Sequence, residues 1–205
     1  MKTRFLPAGS DDWAREALKV LRAGGLVAFP TDTVYGLGAL AFDQRAVESV
    51  YAAKGRSEDK AIPVLLGDAN DLDQVAISLP PTARQLAERF WPGPLTLVVQ
   101  KRPNLPDAVS LSNTVGVRVP DHPVARALLR ASGPMAVTSA NLSGEPSPRT
   151  AEEVLKQLAG RVALIVDGGR TPGGVPSTVL DCTQTEPHIL RAGPITLEQI
   201  REILG

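Results

Sequence analysis

The chain has few of the residues on which several common classes of protein depend. One cysteine, Cys182, occurs among 205 residues, which excludes an internal disulfide, and no Cys/His group has the spacing of zinc ligands. There are two histidines, His122 and His188, and each adjoins a proline, which disfavours a Ser-His-Asp or Cys-His hydrolase. No G-x-x-x-x-G-K-[ST] loop is present, so a P-loop NTPase is excluded. Any site must therefore be built from lysine, arginine and small polar side chains.

The chain also has no excess of charge and no long apolar run. Its 22 basic residues equal its 22 acidic residues, and aromatic residues make up 4%. Strong nucleic-acid binding usually needs a basic excess, so we do not expect a protein that coats RNA. No apolar run approaches the ~18 residues of a membrane span, and residues 1–13 are too polar for a secretory signal. We expect a globular cytoplasmic protein that does not contact a membrane.

Residues 24–60 form the segment around which we expect the site to be built. An apolar strand at residues 26–29 leads into a polar turn, and Gly36 and Gly38 are expected to close this turn and let the backbone approach a ligand. Asp43 is then suited to cap a helix. This order of strand, glycine turn and helix can surround a small charged molecule.

Three cations, Lys54, Arg56 and Lys60, follow at the end of that helix. An arbitrary K-x-R pair is usually a solvated helix end. Here the cations lie a few residues from a glycine turn and just before a buried strand, where they can hold phosphates together with backbone amides. Their placement therefore favours a phosphate site.

Two further segments contain candidate ligand-binding residues. Ser139-Ala140-Asn141 follows an apolar strand, as ligand loops do in open α/β sheets, although the same residues also form ordinary turns. Arg118 lies in the apolar strand 115–119, where an arginine is costly unless it is paired. A ligand carboxylate and a structural aspartate would each provide that pair, and the spacing leaves both open.

The hydrophobic pattern predicts one mixed α/β domain over residues 1–205, built on a twisted sheet. Several strands are too close together in the sequence for a crossover helix between each pair, which indicates antiparallel pairs as well. Residues 103–114 are rich in proline, asparagine and serine and are expected to form a loop or flap. The predicted helices lie near residues 13–21, 43–54, 82–90, 123–129, 150–158 and 196–204. The predicted strands lie at 26–29, 61–66, 95–100, 115–119, 135–138, 162–166, 178–182 and 188–191.

Seven segments in order resemble the YrdC-like threonylcarbamoyl-AMP synthases. They are FPTDTVYGLG at 29–38, KGR at 54–56, WPGPLTL at 91–97, VGVRVP at 115–120, TSANLSG at 138–144, PSTVLD at 176–181 and ILRAG at 189–193. The resemblance implies an α/β sheet curled around a deep electropositive cavity, as in the short, single-domain members. It also implies a nucleotidyltransferase that makes L-threonylcarbamoyl-adenylate from L-threonine, bicarbonate or CO2, and ATP, releasing pyrophosphate.

The resemblance further implies partners and site residues. Separate transfer proteins would pass the threonylcarbamoyl group to adenosine 37 of tRNAs that read ANN codons, so strong direct binding of tRNA is not expected. Mg2+ would be bound through the ATP phosphates, without dedicated protein ligands. Lys54 and Arg56 would be catalytic. The ATP-binding residues would be Lys54, Arg56, Lys60, Thr114, Ser139, Ala140, Asn141, Ser147 and Arg191. The L-threonine-binding residues would be Thr33, Arg118, Thr138 and Ser177.

Two departures and two alternatives accompany this resemblance. Ser57 stands where the family commonly has a proline, and Leu65 stands where many members have a histidine. One alternative is an RNA-binding module in which Tyr35, Tyr51 or Trp91 stacks on bases, which the low aromatic content and balanced charge disfavour. The other is a related carbamoyl-transfer domain with the same fold and a different substrate.

Overall fold

The protein is described by a computed structural model of residues 2–184 and 186–205. Within these residues, ten strands form one sheet. The strands are β1 (Arg4–Pro7), β2 (Val27–Phe29), β3 (Gly36–Leu40), β4 (Val64–Leu65), β5 (Leu95–Gln100), β6 (Thr114–Arg118), β7 (Met135–Ser139), β8 (Leu164–Asp167), β9 (Thr178–Asp181) and β10 (His188–Arg191). The helices are α1 (Trp13–Arg22), α2 (Gln44–Lys54), α3 (Pro81–Phe90), α4 (Pro123–Ser132), α5 (Ala151–Leu158) and α6 (Leu197–Leu204), with a 3-10 helix at Ala69–Gln74.

The strand order across the sheet is β1-β8-β2-β3-β7-β4-β6-β5-β9-β10. The sheet contains both parallel pairs, such as β4 with β6 and β5 with β9, and antiparallel pairs, such as β2 with β3 and β5 with β6. This confirms the predicted mixed α/β fold. The edge strand β1 and the 3-10 helix were not predicted. None of the helices in the described part of the chain combines the length and the apolar character that crossing a bilayer requires.

The two glycines of the opening segment are not in the turn to which the sequence pattern assigned them. Gly36 and Gly38 lie in β3, which pairs antiparallel with β2, so the turn is confined to residues 30–35. A Cβ atom on Gly36 would lie 2.7 Å from Cγ1 of Val137, and one on Gly38 would lie 2.8 Å from Cε of Met135. The glycines therefore serve close packing within the sheet, which produces the same glycine-rich sequence as a turn.

The helix α2 begins and ends as its sequence predicts. The Asp43 carboxylate accepts a hydrogen bond from the Ala46 amide at 3.0 Å, which satisfies one unpaired donor of the first turn. Gly55 ends the helix in the left-handed conformation, with φ of 59°. The chain therefore changes direction between Lys54 and Arg56.

The two faces of the sheet are covered differently. Four helices, α2, α3, α5 and α6, pack against one face in the larger apolar core. Among the described helices, α1 and α4 pack against the other face, where Val27, Phe29 and Leu164 meet Leu21 and Leu128. Those two helices do not cover β5, β6 and β9 on that face, and the uncovered half holds a cavity.

The 103–114 loop is anchored in the core, which argues against a freely moving flap. Leu105 and Val109 are buried, and the Val109 carbonyl accepts a hydrogen bond from the Ile62 amide at 2.9 Å. The Tyr51 hydroxyl donates to the Ala108 carbonyl at 2.9 Å. Lys101 donates to the carbonyl of residue 110 at 2.7 Å.

Candidate functional site

The cavity has a volume of about 370 Å³. Successive side chains of a strand point to opposite faces of the sheet. On β5, Thr96 and Val98 therefore line the cavity, while on β6 Thr114 and Arg118 do, and intervening residues such as Val117 enter the larger core. Strand alternation thus places polar side chains on an otherwise apolar sheet at one common surface.

Three arginines line the cavity: Arg56, Arg118 and Arg191. The described residues of the lining include no aspartate or glutamate. Burial lowers the pKa of Arg191, and the positive charge of Arg56 lowers it further. The repulsion between these cations favours an anionic ligand.

Arg118 has a protein partner on each of its three nitrogens, which leaves two of its five N–H donors for a ligand. Its Nε donates to the Gly93 carbonyl at 2.9 Å, its Nη1 donates to Oγ1 of Thr33 at 3.2 Å, and its Nη2 forms an ion pair with Asp32. Burial lowers the pKa of Arg118, which the negative charge of Asp32 opposes. The structural aspartate that the sequence left open therefore exists, and Arg118 still lines the cavity.

Asp32 is the main functional candidate that the sequence reasoning missed. Its Oδ1 pairs with Arg118, and its buried Oδ2 has no hydrogen-bond partner among the described residues. The available signal was a carboxylate between Thr31 and Thr33 in a turn next to an apolar strand.

Arg56 and Arg191 are held by neutral oxygens. Arg56 donates from Nη2 to the Ala61 carbonyl at 3.0 Å and from Nε to the Lys60 carbonyl at 3.3 Å. Arg191 donates from Nη2 to the carbonyl and hydroxyl oxygens of Ser177 at 2.8 and 3.1 Å. Neither arginine forms an ion pair with a carboxylate of the described chain, so both keep their charge for a ligand.

Hydroxyl groups supply most of the remaining polar lining. Ser112 is hydrogen-bonded to Ser110 at 3.0 Å and to Thr114 at 2.8 Å, and Thr96 is hydrogen-bonded to Ser177 at 2.8 Å. The sequence did not predict four of these hydroxyls, because a serine in a loop or a threonine in a strand has no pattern that indicates a cavity. The four belong to Thr31, Thr96, Ser110 and Ser112. The lining hydroxyls belong to Thr31, Thr33, Thr96, Ser110, Ser112, Thr114, Thr138, Ser139 and Ser177.

Lys54 lies behind the cavity wall. Its side chain is buried, and its Nζ donates to the carbonyl of Ser139 and to the carbonyl and side-chain oxygens of Asn141 at 2.6 and 3.3 Å. Burial, and to a smaller extent the charge of Arg56, lowers the pKa of Lys54 to about 7.

The structure brings eight of the thirteen predicted site residues into the cavity lining and leaves five outside it. Leu65, which stands where many family members have a histidine, also lines the cavity. The predicted contacts of all these residues with a ligand stay predictions. The eight are Thr33, Arg56, Thr114, Arg118, Thr138, Ser139, Ser177 and Arg191. The five are Lys54, Lys60, Ala140, Asn141 and Ser147.

The sequence pattern of the Sua5/YciO/YrdC proteins, which carries the description "Telomere recombination", matches residues 19–193. The chain belongs to this family. A Bacillus subtilis member named threonylcarbamoyl-AMP synthase is 48% identical over 199 residues, covering 96% of this chain and 58% of that protein. A Mycobacterium tuberculosis member is 46% identical over 190 residues, covering 92% of this chain and 88% of that protein. The chain thus spans little more than half of some relatives and most of others.

Solved structures of family members share the fold. Sua5 of Pyrococcus abyssi in complex with L-threonine superposes with a TM-score of 0.94 at 42% identity, covering all of this chain and 61% of that one. Escherichia coli YciO superposes with a TM-score of 0.85 at 27% identity, covering 97% and 98%. The family therefore builds this sheet with and without further chain.

Proposed function

We propose that this chain makes L-threonylcarbamoyl-adenylate from L-threonine, bicarbonate or CO2, and ATP, with release of pyrophosphate, as a nucleotidyltransferase. The observation that carries the proposal is a cavity lined by three arginines, of which Arg118 alone has a carboxylate partner among the described residues. Relatives named threonylcarbamoyl-AMP synthase, and a Sua5 that binds L-threonine, support the choice of substrates.

We call Thr33, Arg118, Thr138 and Ser177 the Arg118 end of the cavity, and this end suits the amino acid. Its guanidinium is oriented by Gly93, Asp32 and Thr33, so a substrate carboxylate would meet a fixed group. Thr138 and Ser177 line the same cavity and offer hydroxyls to the amine or the side chain. Thr33, Arg118, Thr138 and Ser177 are accordingly the proposed threonine ligands.

We call Arg56, Thr114, Ser139 and Arg191 the phosphate end of the cavity, and this end suits the nucleotide phosphates. Both guanidiniums are bound to neutral oxygens and are not neutralised by a carboxylate, and Ser139 and Thr114 add hydroxyls. A triphosphate needs such an excess of positive charge as pyrophosphate leaves. Lys60, Ala140, Asn141 and Ser147 lie outside the lining, so any contact they make would be with parts of ATP beyond it.

The reaction requires alignment of the carbamate with the α-phosphorus more than it requires a strong base. The threonine amine and CO2 form a carbamate with loss of a proton, and a carbamate oxygen then attacks the α-phosphorus as the bond to pyrophosphate breaks. Arg118 would hold the amino acid while Arg56 and Arg191 hold the phosphates. The lack of a histidine in the described lining is consistent with this division of labour.

Mg2+ fits this site as a companion of ATP. The described residues bring together no group of three or more histidine, cysteine, aspartate or glutamate side chains, and the side-chain oxygens that the described lining offers a metal belong to hydroxyls. Mg2+ binds readily through one or two ligands plus substrate phosphates. When bound, it would spread the negative charge of the phosphates.

The product would pass to proteins that transfer threonylcarbamoyl to adenosine 37 of tRNAs reading ANN codons. The chain itself carries no net basic excess, so we propose that it does not bind tRNA strongly.

Pyrophosphate release from Mg-ATP tests the activity. We expect release only when L-threonine and bicarbonate are both present, and formation of an adenylate that contains threonine. Carbamoyl phosphate in place of threonine and bicarbonate tests the alternative carbamoyl-transfer domain. Release that is independent of threonine, or dependent on carbamoyl phosphate, would reject the synthase proposal.

A further inference from the structure

Lys54 forms four hydrogen bonds with one segment of the cavity wall, residues 139–143. Its Nζ donates to the carbonyl oxygens of Ser139 and Asn141 and to the Asn141 side chain. Its own carbonyl accepts a hydrogen bond from the Ser143 amide at 2.9 Å. The last residue of α2 is thus bound to both ends of this segment, which begins at the last residue of β7.

These contacts use the full hydrogen-bonding capacity of the ammonium group. A lysine ammonium has three N–H donors, and three oxygen acceptors surround Lys54. Lys54 is 3% exposed, and a buried cation is stable only when it is satisfied in this way. No donor is left for a phosphate, and the side chain does not line the cavity.

The segment that Lys54 holds presents a lining residue to the cavity. Ser139 lines the cavity, whereas Ala140 donates its amide to the Tyr35 carbonyl at 2.8 Å. The side-chain amide of Asn141 donates to the carbonyls of Leu142 and Glu145, at 2.8 and 2.7 Å. The segment is therefore held by contacts on the side away from the ligand, and Lys54 provides the only charged one among the bonds described for it.

We propose that Lys54 is a positioning residue, which fixes residues 139–143 from behind so that Ser139 faces the bound nucleotide. Its cation acts on the wall and not on the phosphates. This inference rests on the proposed ATP site and revises the role expected for Lys54 within it. Arg56, two residues away, lines the cavity and would contact the ligand directly.

A double-mutant cycle on ATP affinity tests the inference. Lys54→Met and Ser139→Ala should each weaken ATP binding by roughly ten-fold, the size of one hydrogen bond to a charged group. If Lys54 acts through Ser139, the double variant should be weakened by about the same roughly ten-fold, because both changes remove one effect. Arg56→Met with Ser139→Ala is the matched control and should give a product of the two single effects. A multiplicative result for the Lys54 pair would overturn the inference.

Amide hydrogen exchange without nucleotide provides a second readout. In Lys54→Met the amides of residues 140, 142 and 143 should exchange at least several-fold faster than in the wild type, while amides in β5 and β6 keep their rates. Lys54→Gln keeps an N–H donor and should recover part of the protection; it also serves if Lys54→Met fails to fold. Unchanged exchange in residues 140–143 would reject the positioning role. Failure of the wild type to bind ATP would instead reject the proposed function.

Discussion

The arginines of the cavity fall into two kinds. Arg118 is buried and paired with Asp32, whereas the partners of Arg56 and Arg191 in the described chain are carbonyl and hydroxyl oxygens. The pair orients one guanidinium but cancels most of its charge. The unpaired arginines keep their charge and repel one another. Arg118 is therefore suited to an amino acid, which is nearly neutral overall, and Arg56 and Arg191 to a polyphosphate. The two ends adjoin, because Arg191 is bonded to Ser177 and its charge lowers the pKa of Arg118.

The difference has an energetic consequence. Removal of one member of a buried ion pair leaves the other charge without compensation, which costs far more than the net contribution of the pair. Removal of an arginine that has no partner leaves no such charge. Substitution of Arg118 should therefore mainly reduce the free energy of unfolding, whereas substitution of Arg56 or Arg191 should mainly reduce the affinity for the ligand.

The largest effect is expected from Arg118→Met. It leaves the Asp32 carboxylate, whose side chain is 12% exposed, without a cation, so we expect the free energy of unfolding to fall by about 3 kcal/mol or more in urea titrations. Synthesis of the adenylate should be lost as well. The double variant Arg118→Met/Asp32→Asn removes both charges and should regain most of the stability but none of the activity. Equal stability of the single and double variants would show that the pair is not what Arg118 contributes.

Arg56→Met and Arg191→Met test the other end. Neither change strands a buried charge, so the free energy of unfolding should stay within about 1 kcal/mol of the wild type. The affinity for ATP, measured by calorimetry, should fall roughly 10- to 100-fold, the value of hydrogen bonds to a charged group. Arg22→Met, the same substitution on an exposed residue at the end of α1, is the control and should change neither quantity. A stability loss as large as that of Arg118→Met would remove the distinction between the two ends.

The sequence predicted that Arg118 needs a partner, because a guanidinium in an apolar strand must be compensated. It did not identify the partner, since Asp32 lies 86 residues away and only the order of the strands brings the two together. The residue pattern of β5 and β6 predicted two strands. It did not predict which face of these strands would lack a covering helix. The glycines of β3 were assigned to a turn because close packing and turns both favour glycine.

The pair Lys54 and Arg56 shows a second limit. In the sequence the two cations are neighbours and suggest one role. In the structure Gly55 ends α2 in the left-handed conformation between them, so Lys54 is buried behind the wall while Arg56 lines the cavity. A sequence motif records which residues are close in the chain, and one change of backbone direction suffices to separate their functions.

Gly173→Ala should disturb only the amino-acid end. A Cβ atom on Gly173 would lie 2.4 Å from the Thr33 carbonyl oxygen, so the two segments must move apart, and a shift of Thr33 would disturb its hydrogen bond to Arg118. We expect the KM for threonine to rise by roughly three- to ten-fold, the cost of one weakened hydrogen bond, with the KM for ATP unchanged. Gly174→Ala is the control, because its Cβ would meet only Cδ of Arg149 at 3.7 Å. An equal rise in both KM values would indicate a general loosening of the cavity.

The smallest effect concerns pH at the phosphate end. Burial lowers the pKa of Lys54 to about 7, and the charged group that adds to this shift is Arg56. Lys54 is therefore cationic below that pH and loses a proton, and with it one of three donors to residues 139–143, as the pH rises through it. ATP affinity should fall by roughly two- to five-fold between about pH 6 and about pH 8, since hydrogen bonds of a charged donor are the stronger ones.

Titration of ATP itself contributes equally to a Lys54→Met variant, so the wild-type profile minus the variant profile isolates Lys54. At the Arg118 end no such change is expected, and the affinity for threonine should not follow this profile; if the two profiles coincide, the pH dependence belongs to the cavity as a whole and not to the wall that Lys54 supports.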